Sequence, residues 1–193
     1  MKKQVLYIAA VVLFIAVIAV AAVVYNGLSP EVDLPEEPPK TAATGSPTVP
    51  TSDRTATDFA VQTRDGSTVR LSEHFGKPVV LNFWATWCGY CVEELPAFEE
   101  MYRAHGDEVT FMMINATDDR RETVEAVEAF LTANGYTFPV YYDVTAEAAS
   151  AYGAYSIPLT VFIGADGQVA YVRRGAMNAS QLAVYMESYL GIS

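Results

Sequence analysis

Cysteine and histidine are scarce in this sequence, which contains two of each among 193 residues. The two cysteines, Cys88 and Cys91, are separated by two residues, whereas His74 and His105 stand apart from them and from each other. A zinc site needs three or four ligands, and no second ligand pair accompanies the single C-x-x-C. The sequence therefore predicts no metal site, and we expect the protein to work without a cofactor.

Positive charge is also in short supply. The chain has 12 Lys and Arg against 23 Asp and Glu, which gives a formal net charge of -11 at pH 7. Nucleic acids and anionic membrane surfaces are bound through clustered positive charge. The composition therefore argues against both as partners of this protein.

Charge of either sign is missing from residues 5–25, "VLYIAAVVLFIAVIAVAAVVY". This run has about the 20 residues that a helix needs to cross the hydrocarbon core of a bilayer. Lys2 and Lys3 precede it, and positive residues stay on the cytoplasmic side of a membrane. The sequence thus predicts a cytoplasmic stub at 1–4 and a single-pass anchor in the cell membrane at 5–25, with the rest of the chain on the extracytoplasmic side.

A cleaved signal peptide is the alternative for the same segment, because Ala19-Val20-Ala21 would suit a small-residue cleavage site. The apolar run is longer than the roughly 7–15 residues of a typical signal core, which favours the anchor. No cysteine lies near the segment, so it is not a lipoprotein anchor.

A proline-rich segment follows at 26–52, with six of the ten prolines of the chain among Glu, Thr, Ser and Gly residues. It has almost nothing to bury, so we expect an extended, disordered linker. The folded domain is then expected at 53–193.

Two stretches of this domain are predicted to form hairpins. One alternates apolar and polar residues around Asp65-Gly66, and the other, "LTVFIGADGQVAYV", turns at Asp166-Gly167. Short apolar runs at 79–83 and 109–114 are typical of strands buried on both faces, and 138–143 is a further candidate strand. Three helices are predicted from the residues that cap, kink or stop them. The first covers 91–103 with Pro96 inside it, and the second is capped by Asp118 or Asp119 and stops at Gly135. The third closes the chain and is capped by Asn178 with Gln181. A short helix is expected within 145–153. This order predicts a small α/β domain with a mixed sheet.

The cysteine pair is expected at the start of the first of these helices. A disulfide between Cys88 and Cys91 would close a very short loop, which gives little stabilisation, so a purely structural bridge is a poor explanation. Free N–H groups and the positive end of the helix dipole favour a thiolate at Cys88. Cys88 is therefore the candidate nucleophile, with Gly89 leaving its sulfur open, and Cys91 is the candidate resolving cysteine.

A buried Cys91 would need a base to accept its proton. Glu94 lies three residues further along, on the same face of the helix. The alternative is that Glu94 is a solvated carboxylate like its helix neighbours Glu93, Glu99 and Glu100, and spacing alone does not decide between the two.

The stretch "FWATWCGYC", the proline five residues after the second cysteine, and the later "SIPLTVFI" resemble the thioredoxin superfamily. The nearest resemblance is to its membrane-tethered TlpA/ResA-like thiol–disulfide oxidoreductases, over about 58–190. It implies a thioredoxin-like α/β fold, in which helices flank a mixed central sheet and an N-terminal hairpin extends it, after a single N-terminal transmembrane helix.

The resemblance also implies roles for individual residues. Cys88 and Cys91 would form the redox-active disulfide. Pro158 would be cis, and the backbone of Ile157 would pair with a strand of the substrate. Without the resemblance, a trans proline at the start of a strand is the commoner case.

Three residues around the exposed sulfur complete the expected substrate-binding set, namely Trp87, Gly89 and Tyr90. Trp87 is expected to flank the sulfur. Tyr90 is a candidate contact for partners, although an exposed tyrosine beside an active site does not by itself indicate one.

Two positions depart from thioredoxins proper. Asn82 stands where those proteins have a buried aspartate, which removes the usual proton acceptor, whereas Glu94 matches a glutamate that ResA-like proteins have at this spacing. The dipeptide between the cysteines is Gly89-Tyr90, and many relatives have proline there. Because that dipeptide influences the redox potential, the resemblance does not fix the direction of electron flow.

The function expected from these features is reduction of disulfides in exported proteins, such as the haem-binding cysteines of apocytochrome c. Electrons would come from an integral membrane thiol carrier of the CcdA or DsbD type, and the protein is expected to be a monomer. The alternatives are an oxidase or isomerase that uses the same pair, and a tethered binding module with incidental cysteines. A peroxiredoxin-like peroxidase is discounted, because Ala85 stands where a threonine would be needed.

Overall fold

The computed structural model of the protein describes residues 54–118 and 120–193, which lie within one compact unit, 48–193. The expected stub at 1–4, the anchor at 5–25 and the linker at 26–52 fall outside these residues. Among the helices that the structure describes, none is both long and apolar enough to cross a membrane.

In the described ranges, seven strands form one sheet in the order β2-β1-β5-β4-β3-β6-β7. The strands are β1 (Ala60–Gln62), β2 (Thr68–Arg70), β3 (Val79–Trp84), β4 (Thr110–Asn115), β5 (Val140–Tyr142), β6 (Leu159–Ile163) and β7 (Val169–Arg174). The central strands β3, β4 and β5 are parallel, whereas β6 and β7 at one end, and the β1–β2 hairpin at the other, are antiparallel. The predicted mixed sheet and both predicted hairpins are confirmed.

Four α-helices and a short 3-10 helix cover this sheet in the described part of the chain. They are α1 (Gly89–His105), α2 (Val124–Asn134), α3 (Glu147–Tyr152), α4 (Ala179–Leu190) and the 3-10 helix Leu71–His74. Pro96 lies inside α1, and Asn178 with Gln181 forms a complete capping box at the start of α4, both as predicted.

Burial on both faces of the sheet explains why β3 is an unbroken apolar run apart from Asn82. Val80 and Trp84 point into a core that α1, α2 and α4 cover, while Leu81 and Phe83 point into a second core on the other face. Because side chains alternate along a strand, Asn82 faces the same side as Val80 and Trp84, towards α1.

The predicted cap of α2 is wrong. Thr123 caps this helix, with its hydroxyl accepting a hydrogen bond from the N–H of Ala126. Asp118 instead accepts hydrogen bonds from three N–H groups of the turn that precedes the helix, at residues 120–122. Aspartate suits either a turn or a helix cap, so the local pattern placed the helix start too early. The predicted end at Gly135 is correct, since this residue has φ 70°.

Candidate active site

Cys88 and Cys91 form a disulfide at the N-terminus of α1, with their Cα atoms 5.2 Å apart. Cys88 is the N-cap residue of the helix, and its sulfur accepts a hydrogen bond from the N–H of Cys91 at 3.2 Å. The first turn contains no acidic residue. Both the helix dipole and this N–H group therefore favour negative charge on the sulfur of Cys88 once the disulfide is reduced.

The two cysteines differ in access to solvent. Cys91 is completely buried, whereas Cys88 keeps 8% of its surface exposed. Gly89 is exposed between them, and a Cβ atom at this position would meet no atom within 4 Å. Of the two cysteines, Cys88 is therefore the one with surface available to an incoming sulfur.

The peptide bond between Ile157 and Pro158 is cis, as the resemblance implied. It lies immediately before β6, and Leu159 of β6 is paired with Phe83 near the end of β3. This pairing places the turn that contains Ile157 and Pro158 beside the disulfide, and the carbonyl oxygen of Ile157 lies 3.7 Å from the sulfur of Cys88.

Glu94 is buried, with 1% of its surface exposed, and is not one of the solvated carboxylates of α1. Its carboxylate accepts hydrogen bonds from the side-chain amide of Asn82 at 2.8 Å and from the N–H of Met177 at 3.0 Å. Burial raises the pKa of Glu94 to about 7, although these two hydrogen bonds and the charge of Arg173 act in the opposite direction. A carboxylic acid with this pKa can both accept and release a proton near neutral pH.

A row of polar side chains crosses three strands beside Glu94. Asn82 on β3 is paired with Thr160 on β6, which is paired with Arg173 on β7. The amide of Asn82 donates to the hydroxyl of Thr160 at 3.1 Å. In the part of the chain that the structure describes, Oδ1 of Asn82 and Nε of Arg173 are buried without a hydrogen-bond partner.

Glu122 is a further buried carboxylate that sequence reasoning missed. It accepts hydrogen bonds from the backbone N–H of Thr86 at 2.7 Å, from the hydroxyl of Thr86 at 2.6 Å and from the amide of Asn115 at 2.7 Å. These bonds attach the loop before Cys88 to the end of β4. No sequence signal marks Glu122, because it lies in a loop far along the chain from Thr86.

The remaining expected site residues fall into two groups. Trp87 is 43% exposed beside Cys88, with the guanidinium carbon of Arg121 4.2 Å from the centre of its ring. Tyr90, Ile157 and Pro158 line a cavity of about 430 Å³ on the other side. Among the described residues, no group of three or more His, Cys, Asp and Glu side chains is placed to hold a metal ion.

Known proteins with similar sequences and structures match most of this chain. The AhpC/TSA family matches residues 53–172. The thiol–disulfide oxidoreductase ResA of Geobacillus kaustophilus is 30% identical over 189 residues, which are 97% of this chain and 97% of the relative.

Two solved structures share the fold. StoA from Bacillus subtilis superposes with a TM-score of 0.58 at 30% identity, covering 67% of this chain and 96% of that one. The pneumococcal exposed lipoprotein thioredoxin from Streptococcus pneumoniae does so with a TM-score of 0.59 at 29% identity, covering 68% of this chain and 99% of that one. The fold is therefore thioredoxin-like, and the chain belongs to the AhpC/TSA family, among the ResA-like thiol–disulfide oxidoreductases.

Proposed function

We propose that this protein reduces disulfides in exported proteins, on the extracytoplasmic side of the cell membrane, by dithiol–disulfide exchange at Cys88 and Cys91. The observation that carries this proposal is the cysteine pair itself. Cys88 keeps a small exposed surface at a helix N-terminus, next to a cis proline, and Cys91 is buried on the helix that also carries Glu94.

The first step begins from the reduced pair. The thiolate of Cys88 attacks one sulfur of the substrate disulfide, and the other substrate sulfur leaves as a thiolate that takes up a proton. The product is a mixed disulfide between Cys88 and the substrate. Pairing of the substrate backbone with Ile157 would hold the substrate sulfur near Cys88, whose sulfur lies 3.7 Å from the Ile157 carbonyl oxygen.

The second step releases the substrate. Cys91 transfers its proton to Glu94 and attacks the sulfur of Cys88, so that the Cys88–Cys91 bond forms and the mixed disulfide breaks. The second substrate sulfur then leaves and is protonated. Two electrons pass from the cysteine pair to the substrate, and the oxidised pair seen in the structure is the product state. Glu94 suits the base role because its pKa is raised to about 7 by burial.

Regeneration requires an external dithiol. Because the catalytic domain would lie outside the cytoplasm, the donor we propose is an integral membrane thiol carrier of the CcdA or DsbD type. Support for this location comes from the uncharged segment 5–25 with the lysines before it, and from a structural relative that is described as an exposed lipoprotein. Apocytochrome c is the substrate that the ResA resemblance favours.

The equilibrium redox potential of the Cys88–Cys91 pair tests the direction of electron flow. A value near that of thioredoxin, roughly -270 mV, or lower would support the reductase. A value near roughly -120 mV would instead identify an oxidase, because the reduced form would then be the stabilised one. If no reversible couple were found, only the tethered binding module would remain.

A further inference from the structure

The cavity beside the disulfide is lined by residues from three parts of the chain. Tyr90 comes from the first turn of α1, Ile157 and Pro158 come from the turn before β6, and Arg174 and Gly175 come from the end of β7. Of the described residues that line it, Arg174 alone is charged. The volume of about 430 Å³ is large enough to receive a side chain of a bound polypeptide.

The sheet fixes the position of Arg174. This residue is paired with Leu159 of β6, and the N–H of the following Gly175 donates to the carbonyl oxygen of Pro158 at 3.0 Å. The backbone of Arg174 therefore sits directly across from the residue that follows the cis proline. A mobile loop would not give a charge such a defined position relative to the disulfide.

Arg174 has no ion pair with any carboxylate of the described residues. Three other arginines do have one, with Glu128, Asp58 and Glu99 as partners of Arg64, Arg70 and Arg103. Acidic residues outnumber basic ones by 23 to 12 in this chain. An exposed arginine that remains unpaired in so acidic a protein is available to an external anion.

A second arginine flanks the disulfide from the opposite side. Arg121 lies over the ring of Trp87, and no ion pair joins it to a carboxylate in the ranges that the structure describes. Its loop follows β4, whereas Arg174 ends β7, and the sheet order places β3 with its cysteine loop between these two strands. The first turn of α1 adds no acidic residue between these two arginines, although the chain as a whole is negative.

We propose that the cavity binds an acidic side chain of the substrate through Arg174, so that the protein prefers disulfides whose cysteines have Asp or Glu close by. This inference rests on the proposed function, because a substrate strand paired with Ile157 would run along the rim of the cavity. A carboxylate in the cavity would form a charge-assisted hydrogen bond with the guanidinium group of Arg174. Arg121 adds a weaker, longer-range attraction for the same segment.

The test uses the reduced full-length chain in detergent and three peptides that share one internal disulfide. They differ at a single position beside the first cysteine, which is Glu, Gln or Lys. We expect kcat/KM to fall from the Glu to the Gln to the Lys peptide, with the Glu peptide favoured over the Lys peptide by about fivefold. The ratio of kcat/KM between the Glu and Lys peptides should shrink towards one at high salt, because salt screens exposed charges. Arg174→Gln should remove the preference and Arg174→Glu should reverse it.

The ratio between peptides is measured within each variant, so a general loss of activity does not affect it. Arg54→Glu is the matched control, because Arg54 is exposed and its backbone pairs with Val169 at the other end of β7. This control should keep the wild-type ratio. A reversal by Arg54→Glu as large as that by Arg174→Glu would overturn the proposal, since net charge alone would then explain the preference.

Bis(2-hydroxyethyl) disulfide, which is small and uncharged, is a substrate that distinguishes a failure of the acidic preference from a failure of the proposed function. If the wild-type chain reduces this compound and all three peptides at equal rates, the acidic preference is wrong and the proposed function stands. If it reduces none of these disulfides, both proposals fail.

Discussion

The surroundings of Glu94 raise its pKa to about 7, which suits the proton-acceptor role proposed for it. Its two hydrogen-bond donors are neutral groups, the amide of Asn82 and the N–H of Met177. Neutral donors compensate only part of the cost of burying a charge, so the protonated and ionised forms remain close in free energy. Glu99 shows the contrast on the same helix, since burial alone would raise its pKa but hydrogen bonds from Thr137, Arg103 and Phe138 lower it.

Replacing Glu94 by Gln tests the assignment of the base. We expect Glu94→Gln to slow release of the substrate from the mixed disulfide by at least about tenfold, because positioned bases contribute roughly 10²–10⁴-fold and water can replace part of this. Formation of the mixed disulfide should change little, since Cys88 performs that step. Rapid alkylation and quenching would measure the two rates separately. Equal slowing of both would contradict the assignment.

The charge of Arg173 counteracts the effect of burial on the pKa of Glu94. This charge lowers the pKa of Glu94, so Arg173→Gln should move that pKa above about 7. The measurement is the carboxyl carbon resonance of Glu94 as a function of pH in the oxidised protein. Arg54→Gln removes a positive charge at the distant end of β7 and should leave the pKa of Glu94 unchanged. An unchanged midpoint in Arg173→Gln would show that the arginine has no such influence.

Spacing along the chain was sufficient to place Cys91 and Glu94 on one helix that begins after Cys88, but it did not decide whether Glu94 is a base or a solvated carboxylate. It could not place Thr160 and Arg173 in one row with Asn82, because the register of three strands brings these residues together. Register depends on the packing of the whole sheet, and a shift by one residue would turn each of these side chains to the opposite face. The sequence identified Asn82 as unusual but could not supply its partners.

The loop between β3 and α1 depends on Glu122 for its attachment. Glu122 is fully buried, and its carboxylate accepts all three hydrogen bonds from Thr86 and Asn115. A loop held only by its two ends would not keep Cys88 at the helix N-terminus in a single orientation. The same short segment between β4 and α2 also carries Arg121, so one segment both fixes this loop and covers Trp87.

Removing this carboxylate should loosen the loop. We expect Glu122→Ala to lower the free energy of unfolding by about 2–4 kcal/mol, because it leaves buried donors without an acceptor. Glu122→Gln should cost less than about 1 kcal/mol, since the hydroxyl of Thr86 can accept from the new amide. Urea denaturation measures both changes, and hydrogen exchange at the N–H of Thr86 should be faster in the alanine variant.

Glu125→Ala is the control for that experiment, because Glu125 is exposed in the first turn of α2. A loss of stability in the control equal to that of Glu122→Ala would mean that the effect comes from α2 itself. Unchanged exchange at Thr86 in Glu122→Ala would show that the loop does not need this anchor.

Across the whole domain, the fold was more predictable than the details of its connections. Alternating and apolar runs predicted the hairpins and the central strands correctly, because burial on one or both faces of a sheet leaves a direct pattern in the sequence. The start of α2 was wrong, since Asp118 and Thr123 are both good capping residues and only tertiary contacts select one. Glu122 could not be found for the same reason, as its partners belong to other elements.

The stability of the domain should depend on pH in a way that identifies Glu94. The pKa of an exposed glutamate is 4.5 and that of Glu94 in the folded protein is about 7, so folding takes up a proton between these two pH values. The contribution of this group to stability is fully present below pH 4.5 and is lost as the pH rises through about 7. The difference between the two pKa values corresponds to about 3 kcal/mol.

Comparison with Glu94→Gln isolates this contribution from all other titrating groups. For oxidised chains that begin at residue 53, the free energy of unfolding of the wild type minus that of Glu94→Gln should fall by about 3 kcal/mol between pH 4 and pH 8. Urea denaturation at a series of pH values gives this difference directly. Glu93→Gln removes an exposed carboxylate from the same turn of α1, and its difference from the wild type should stay nearly constant over that range. If the curves of the wild type and Glu94→Gln were parallel, Glu94 would titrate alike in the folded and unfolded chain, and its role as the base for Cys91 would lose its physical basis.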